Sequence, residues 1–305
     1  MLRYALKRLG VGLLCLVGVS VIIFVAMRLA GDPTLLLLPD DATEQDRIEL
    51  RQELGLDKPL PVQYAIFVAG AVQGDFGMST RWKMPAMELV LARLPATLQL
   101  AGLAFSLAVG IGLLSGVTSA TARGSVFDQC VRLGVTLGLA VPVFWVGLIF
   151  IMVFAVDLGW FPTSGRGSFA HLILPAVTMA LNPAAAMSRL SRSAMLGVLG
   201  ADYIKMARVK GNSEARVVWK HGLRNAAIPV ATLAGIQLAN MIGNTVVVET
   251  IFAWPGIGKL IIDAIFARDF AVVQAAICVV AAAYIILNLA VDLTYGLLDP
   301  QIRYD

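Results

Sequence analysis

Residues 94–122 read LPATLQLAGLAFSLAVGIGLLSGVTSATA and contain no Asp, Glu, Lys or Arg. A helix of about 20 apolar residues crosses a bilayer, because each residue rises about 1.5 Å through a hydrocarbon core about 30 Å thick. Five further uncharged runs are similarly long and lie at Leu9–Met27, Leu133–Val156, Gly167–Ser188, Asn225–Val248 and Phe270–Val291. The chain is therefore predicted to be an all-α integral membrane protein with six transmembrane helices.

The composition excludes a soluble enzyme. Hydrophobic residues make up 58% of the 305 residues and charged residues 14%, and the mean hydropathy is +0.80. Soluble domains carry roughly 45–50% apolar and about 25% charged residues, so this chain has too little polar surface to cover a globule in water. The three cysteines, Cys15, Cys130 and Cys278, lie too far apart for a disulfide framework or a metal-binding spacing. Two histidines do not suffice for a zinc cluster, and no metal site is predicted.

The distribution of Lys and Arg predicts the orientation in the membrane. The segment between spans four and five, 188–224, carries eight basic residues against two acidic ones, whereas 31–93 carries ten acidic and six basic residues. Basic loops stay on the cytoplasmic side, so both termini are expected in the cytoplasm. The net charge of +4 is then a topology signal, and nucleic acid is not expected as a partner.

The loops divide the chain into regions. We expect a cytoplasmic N-terminus with span one, an outer helical insertion, a five-span core and a cytoplasmic tail, at 1–30, 31–93, 94–296 and 297–305. The core includes a cytoplasmic loop at 188–224 and an outer loop at 249–269. Within the insertion, Thr43 is placed to cap a helix that Gly55 ends, and Pro85 to open a helix leading into span two. A solvated spacer is the alternative to a folded insertion.

The cytoplasmic loop contains a predicted helix–Gly–helix element. Asp202 is placed to cap a helix on which Tyr203, Met206 and Ala207 share one face, Gly211 to end it, and Ser213 to cap a second helix. Exposed apolar residues at a membrane surface indicate a docking element. A basic hairpin lying on anionic headgroups is the alternative.

Polar residues within the spans are few. Gln237, Asn240 and Asn244 recur at i, i+3 and i+7 and form one stripe of span five. Such a stripe lines a translocation path or, alternatively, supplies hydrogen bonds between helices. The pairs Gly112/Gly116 and Gly134/Gly138 indicate close helix packing.

Several chemistries are missing from the sequence. Gly256-Ile257-Gly258-Lys259 resembles the end of a Walker A motif, but Leu260 stands where the motif needs Ser or Thr. The fragment is therefore not read as a nucleotide-binding loop. A secondary carrier usually keeps an ionisable residue in mid-membrane, and none is visible here. A membrane scaffold or signalling protein explains the docking element but not the polar stripe. These two classes are the alternatives to a transport subunit driven by other chains.

The cytoplasmic segment ADYIKMARVKGNSEARVVWKHGLRNAAIP, 201–229, resembles the EAA loop of binding-protein-dependent ABC importer permeases. The variant is that of dipeptide, oligopeptide, glutathione and nickel systems. The resemblance continues in LGLDKPLPVQY, VQGDFGMST, ETIFAWPGIGKLIIDAIFARDFAVVQA and the terminal LDPQIRYD. It implies a type I ABC importer permease (MetI-like) fold with an extracytoplasmic helical insertion, in the inner membrane.

The resemblance also implies roles and partners. The loop is expected to form a coupling helix that docks on an ATPase through Asp202, Tyr203, Met206, Ala207, Lys210, Gly211 and Glu214. An outer gate or a contact with the binding protein is expected at Glu249, Trp254, Pro255 and Gly256. The implied partners are a homologous second permease, two cytoplasmic ABC ATPases, a periplasmic or lipid-anchored solute-binding protein and membrane lipids.

The mechanism implied is alternating access for a peptide or peptide-like solute, without catalysis by this chain. ATP and Mg²⁺ are expected on the ATPase partners, and no cofactor on this chain. Peptide, glutathione, opine and nickel-chelate solutes all stay open.

Overall fold

The structure is a computed structural model that describes residues 2–30, 43–53 and 55–298. Helices account for nearly all of the regular structure in these ranges, and the only β-pairing there is an isolated bridge between Met78 and Pro85. The helices are α1 (Leu2–Ala30), α2 (Glu44–Glu53), α3 (Leu60–Val72), α4 (Ala86–Thr121), α5 (Val126–Ala140), α6 (Val143–Phe150), α7 (Ala170–Leu199), α8 (Asp202–Val209), α9 (Glu214–Arg216), α10 (Leu223–Ile251), α11 (Ile257–Phe266) and α12 (Phe270–Leu298). Two π-helical segments, Ile151–Asp157 and Val217–Gly222, extend α6 and join α9 to α10.

Five of the six predicted spans are confirmed as long apolar helices. They lie in α1, α4, α7, α10 and α12. The sixth candidate is a pair, α5 with α6 and its π-helical extension, and its two halves are bent by 109°. The described helices therefore supply five spans, or six if the bent pair counts as one broken span.

Pro142 explains why the predicted span Leu133–Val156 is not one straight helix. Proline lacks an N–H and disfavours helical geometry in the residue before it. Val141 accordingly has extended dihedrals, φ −83° and ψ 130°, at the end of α5, and Pro142 precedes the first residue of α6. The expectation of a continuous third helix was wrong for this reason.

The chain forms two compact units, which we describe separately. Unit 1 comprises Met1–Thr97 and Pro255–Leu289, and unit 2 comprises Leu98–Trp254 and Ala290–Asp305. The core of unit 1 is contributed by four helices, through buried side chains such as Ile23, Val90, Ile257 and Val272.

The helix predicted in the outer insertion is present. Thr43 and Asp46 form a reciprocal cap of α2: Asp46 N donates to Thr43 Oγ1 at 3.2 Å, and Thr43 N donates to Asp46 Oδ2 at 2.8 Å. The hydrogen bond from the Thr43 hydroxyl holds the pKa of Asp46 below its ordinary value. Gly55, with φ +65°, follows the end of the helix, and α4 begins directly after Pro85. Residues 31–42 of the insertion and 299–305 of the predicted tail lie outside the described residues.

In unit 2, α7 packs against α5, α6 and α10, and glycines let α4 approach it closely. A Cβ added at Gly112 would lie 2.6 Å from Met187 Cβ, and one at Gly116 would lie 2.5 Å from the carbonyl oxygen of Ser188. The predicted small-residue contact is therefore confirmed for this pair. Of the second pair, only Gly138 meets a neighbour, Ala185, at 3.0 Å, whereas Gly134 faces open space.

Candidate coupling segment and outer gate

The coupling segment, 201–222, is a short helix, a tight turn and a second helix. Gly211 has φ +77° in the turn, a backbone conformation that favours glycine. Ser213 caps α9 by accepting a hydrogen bond from Arg216 N at 3.4 Å, as predicted. Asp202, predicted as the cap of α8, is instead its first residue. It pairs with Lys205 at 2.8 Å, and the extended Ala201 stands at the cap position without a side-chain bond.

One face of α8 is buried. Ile204 is 0% exposed and Ala207 is 8% exposed, and both pack against Val217. The carbonyl oxygen of Ala207 accepts a hydrogen bond from Asn212 Nδ2 at 2.9 Å. The predicted sharing of one face by Met206 and Ala207 was wrong, because successive helical residues point about 100° apart. Ala207 belongs to the base of the segment.

The exposed side of α8 carries a ridge, which we define as Tyr203, Met206 and Val209. These side chains are 45%, 56% and 83% exposed, respectively. Lys210 and Gly211, at the end of the ridge, are also exposed. Sequence reasoning missed Val209, although its position three residues after Met206 signals the same face.

Hydrogen bonds hold the segment in shape. Arg208 spans the turn and pairs with Glu214, with Nε–Oε1 at 2.8 Å and Nη2–Oε2 at 3.3 Å. Asn225, at the start of α10, donates to the hydroxyl of Tyr203 at 2.7 Å. Val218 of the π-helical segment packs with Met195 of α7 in a buried cluster. The ridge is thus attached to both α7 and α10.

A buried ion pair ties three helices of unit 2 together behind this segment. Asp128 of α5 is fully buried, and its Oδ1 accepts from Arg192 Nε at 2.8 Å and from Ser119 Oγ at 2.6 Å. Its Oδ2 accepts from Arg192 Nη2 at 2.9 Å and from Gly124 N at 3.0 Å. Sequence reasoning missed this pair, since 64 residues separate its partners.

The polar stripe lies on the open side of α10. Asn240 and Asn244 are exposed and Gln237 is half-buried, whereas Ala239 and Thr245 are buried. In the described part of the chain, none of the three stripe side chains has a hydrogen-bond partner. Their surroundings therefore favour a polar lining over hydrogen bonds between helices of this chain.

The predicted gate residues of unit 2 are buried. Glu249 is 0% exposed and Trp254 is 1% exposed, and Trp254 N donates to the carbonyl oxygen of Glu249 at 2.8 Å. The guanidinium of Arg166 stands 5.6 Å from the centroid of the Trp254 ring and donates to Gln99 Oε1 at 2.9 Å. Phe252 is also buried, and its carbonyl oxygen accepts from Gly165 N at 2.9 Å. We call Arg166, Glu249, Phe252 and Trp254, at the end of α10, the Trp254 cluster.

The other two predicted gate residues lie in unit 1. Pro255 is half-buried and Gly256 is buried, and Gly256 directly precedes α11. There, Ile257 N donates to Thr97 Oγ1 at 2.8 Å. In unit 1 the burial of Gly256, and separately in unit 2 the burial of Glu249 and Trp254, does not suit a surface that receives another protein.

Comparison with known proteins places the chain in a family. Residues 108–304 match the family described as binding-protein-dependent transport system inner membrane component, and residues 1–101 match the N-terminal region of such components. The chain is 42% identical over 316 residues to the oligopeptide transport system permease protein AppB of Bacillus subtilis, covering 100% of both chains. It is also 42% identical to the di/tripeptide permease DppB of Pseudomonas aeruginosa, over 100% of this chain and 99% of that one.

The glutathione transport system permease protein GsiC of Escherichia coli K12 is likewise 42% identical over the full length of both chains. Among solved structures, inward-facing MetNI methionine ABC transporter structures match with TM-scores of 0.56 and 0.55 at 18% and 17% identity. Each covers 70% of this chain and 97% of the matched chain, and this likeness shows the MetI-type fold. The chain belongs to the binding-protein-dependent transport system inner membrane components, the permease subunits of ABC importers.

Proposed function

We propose that this permease subunit carries a peptide or peptide-like solute. The relatives named for their solutes transport oligopeptides, di- and tripeptides, and glutathione, and all of these solutes contain amide-linked amino acids. The amides of the half-buried Gln237 and the exposed Asn240 and Asn244 provide hydrogen-bond donors and acceptors suited to such a backbone. We assign the path through this chain to that stripe.

The coupling segment is proposed to dock on a cytoplasmic ABC ATPase. The observation that carries this assignment is the ridge of Tyr203, Met206 and Val209, which stands exposed on the buried base of Ile204, Ala207 and Val217. An apolar ridge on a firm base suits insertion into a groove of a partner. Asp202, Lys210, Gly211 and the Arg208–Glu214 pair form its rim.

We infer an assembly of this chain with a homologous second permease, two ATPases and an external solute-binding protein. Both termini and the ridge face the cytoplasm in this arrangement, as the Lys and Arg distribution supports. ATP and Mg²⁺ belong to the ATPases, and this chain catalyses no reaction by itself. A secondary carrier and a membrane scaffold, the two alternatives, do not fit the family to which the chain belongs.

Alternating access follows from this division of roles. ATP binding draws the two coupling segments together, and their attachment to α7 and α10 transmits the motion to the spans. The Trp254 cluster opens to admit the solute from the binding protein. Hydrolysis then returns the path to its inward-facing state.

The docking assignment is tested with Met206→Glu, which places a charge on the ridge without disturbing the buried base. In the reconstituted complex, we expect two quantities to fall at least about tenfold: the amount of ATPase subunit that stays bound and the rate of ATP-driven peptide uptake. The reason is that an unpaired charge in an apolar contact is costly. Val126→Glu is the matched control, since Val126 is an exposed apolar residue on α5 and should leave both quantities unchanged. Equal behaviour of the two variants would refute the assignment.

The solute class is tested separately by competition. Uptake of a labelled tripeptide is measured in proteoliposomes that contain the whole complex and its binding protein. We expect unlabelled di- and tripeptides to compete and a nickel chelate not to compete. Competition by the chelate alone would remove the peptide assignment but leave the docking assignment intact.

A further inference from the structure

The end of the coupling segment and the start of α10 carry an exposed basic face, which we define as Arg216, Lys220 and Arg224. These residues are four positions apart, a spacing that places side chains on one side of a helix. They run from α9 through the π-helical segment to the first turn of α10. The ridge consists of residues of α8, so the basic face belongs to a different part of the cytoplasmic loop.

The basic face keeps its positive charge. Within the described residues, none of its three side chains has an ion pair or a hydrogen bond. The helices that pack against the π-helical segment contain the acids Asp202 and Glu214, and also Glu249 at the far end of α10. Asp202 and Glu214 pair with two bases of α8, Lys205 and Arg208 respectively, at 2.8 Å. These acids therefore leave the charge of the basic face uncancelled.

The basic face lies at the level of the lipid headgroups. Arg224 directly precedes the uncharged run Asn225–Val248, so it marks the edge of the hydrocarbon. A helix rises about 1.5 Å per residue, which places Lys220 about 6 Å and Arg216 about 12 Å outside that edge. The headgroup layer on each side of a bilayer is about 5–8 Å thick, and charges act across about 10 Å more in 0.1 M salt. All three bases are therefore within reach of lipid phosphates.

The side chains beside the basic face suit a membrane boundary. Ile228 follows Arg224 by four residues and is exposed within the uncharged run, which suits contact with acyl chains. Trp219, next to Lys220, is also exposed, and tryptophan is enriched where the hydrocarbon meets the headgroups. Gln237 of the polar stripe lies nine residues after Ile228. Nine residues are two and a half helical turns, so this side of α10 is turned away from Gln237 and the path that we assign to the stripe.

We propose that the basic face binds the phosphate groups of anionic phospholipids in the cytoplasmic leaflet. This inference rests on the cytoplasmic placement of the coupling segment in the proposed function. Arginine and lysine donate N–H groups to phosphate oxygens, and the negative potential of that leaflet attracts clustered bases. The cytoplasmic loop then has two contacts: α8 presents the ridge to the ATPase, and the basic face holds the start of α10 on the headgroups.

A photoreactive label at position 219 tests this contact in the complete complex. Trp219→Cys is made in a chain in which Cys15, Cys130 and Cys278 are replaced by Ala. The complex is placed in nanodiscs of phosphatidylethanolamine and phosphatidylglycerol in equal amounts. A short thiol reagent with a photoreactive end is attached, and mass spectrometry identifies what it bonds to on illumination. We expect phosphatidylglycerol adducts to exceed phosphatidylethanolamine adducts at least about fivefold, the effect of one base near the surface.

Three variants of the labelled chain test the role of charge. The triple variant Arg216→Gln, Lys220→Gln, Arg224→Gln should lower the ratio of the two adducts to the lipid ratio of the nanodisc. The pair Arg216→Lys, Arg224→Lys keeps the charge, so it should keep the high ratio even if the glutamine triple fails to insert. The control Arg123→Gln removes an exposed arginine from the turn between α4 and α5 and should leave the ratio unchanged.

A second label position tests the depth. Ile228→Cys, treated in the same way, should bond to the acyl chains of both lipids without preference. Adducts at position 228 with protein alone would place this side of α10 against another subunit and would overturn the proposal. Equal adducts of the two lipids at position 219, or an unchanged ratio in the glutamine triple, would overturn it as well.

The competing occupants of the basic face are the ATPase and the tail 299–305, which carries Asp299 and Asp305. Adducts at position 219 mainly with either of them would overturn the lipid assignment. The docking assignment is judged separately by the same label on Met206→Cys. Lipid adducts at position 219 without an ATPase product from position 206 would remove the docking assignment alone.

Discussion

The coupling segment and the Trp254 cluster present their large side chains in opposite ways. On the coupling segment, Tyr203 and Met206 are about half exposed. In the cluster, Phe252 and Trp254 are at most 2% exposed. The first region exposes its large side chains, which suits the contact with an ATPase that we propose, and the second encloses them, which suits the proposed gate. The difference suggests a division of labour within one chain. Movement of a partner would act on the coupling segment, and the translocation path would be closed at the Trp254 cluster. Such coupling requires rigid packing between the two regions.

The largest expected effect comes from breaking the buried ion pair between Asp128 of α5 and Arg192 of α7. Arg192→Leu removes both guanidinium hydrogen bonds to the buried carboxylate of Asp128 and leaves only Arg132 Nε, at 3.7 Å, as a cationic neighbour. We therefore expect the free energy of unfolding to fall by about 3 kcal/mol. Thermal unfolding of the detergent-solubilised complex measures this. The control Arg189→Leu changes an exposed arginine of the same helix and should change the free energy of unfolding by no more than about 0.5 kcal/mol. Equal shifts would show that the ion pair does not hold these helices.

The two faces of α8 can be separated next. Ile204→Ala creates a cavity in the buried base and should lower the free energy of unfolding by about 2–5 kcal/mol. Met206→Ala should lower it by less than about 0.5 kcal/mol but reduce the amount of ATPase subunit that co-purifies. Thermal unfolding and co-purification are measured on both variants. A large loss of stability from Met206→Ala would contradict the exposed ridge.

A smaller effect is expected at the Trp254 cluster. Arg166→Gln removes the cation from the ring of Trp254, an interaction of about 1 kcal/mol, so opening becomes about fivefold more frequent. The readout is leak of solute through the complex without binding protein. Gln99→Leu removes only the hydrogen bond to Arg166 and should give a weaker leak of the same kind. No leak from either variant would argue against a gate at this position.

The smallest effect is expected outside both regions. Thr43→Ala removes the two hydrogen bonds of the Thr43 hydroxyl but keeps the one from the backbone N–H of residue 43, and it should cost α2 about 1 kcal/mol without changing uptake. The Thr43 hydroxyl lowers the pKa of Asp46. The stabilisation of α2 by the Asp46 carboxylate is therefore complete above the ordinary pKa of a carboxyl group. It is lost as the pH falls through the lowered pKa of Asp46 in the folded protein. Hydrogen exchange of α2 at several pH values measures this. If Thr43→Ala changed uptake, transport would also depend on α2, and not only on the coupling segment and the Trp254 cluster.

What the sequence could predict was local. The apolar runs, the Thr43–Asp46 cap and the left-handed Gly211 depend on residues close together in the chain, and the structure contains all of them. The bend at Pro142 was also readable in principle, but a continuous apolar run concealed it. The signal was the proline itself.

What the sequence could not predict depends on distant partners. Asp128 and Arg192 are 64 residues apart, and Arg166 meets Trp254 across a comparable stretch. No periodicity links such residues, because tertiary packing alone brings them together. The inward position of Ala207 likewise depends on Val217, which belongs to the π-helical segment after α9. The chain's role as a permease came from family resemblance, since spans and stripes occur in many membrane proteins.

Cross-linking from the ridge tests the central claim most directly, namely that partner ATPases drive this chain through the coupling segment. Met206→Cys and Val126→Cys are introduced separately into an assembled complex in which Cys15, Cys130 and Cys278 are replaced by Ala. Each is treated with a short reagent that bonds to the thiol at one end and, on illumination, to any adjacent residue at the other. We expect a product that joins Met206→Cys to an ATPase subunit and whose yield changes when ATP is added. The Val126→Cys control should give none. A complex that transports at full rate without any such product from position 206 would contradict the account.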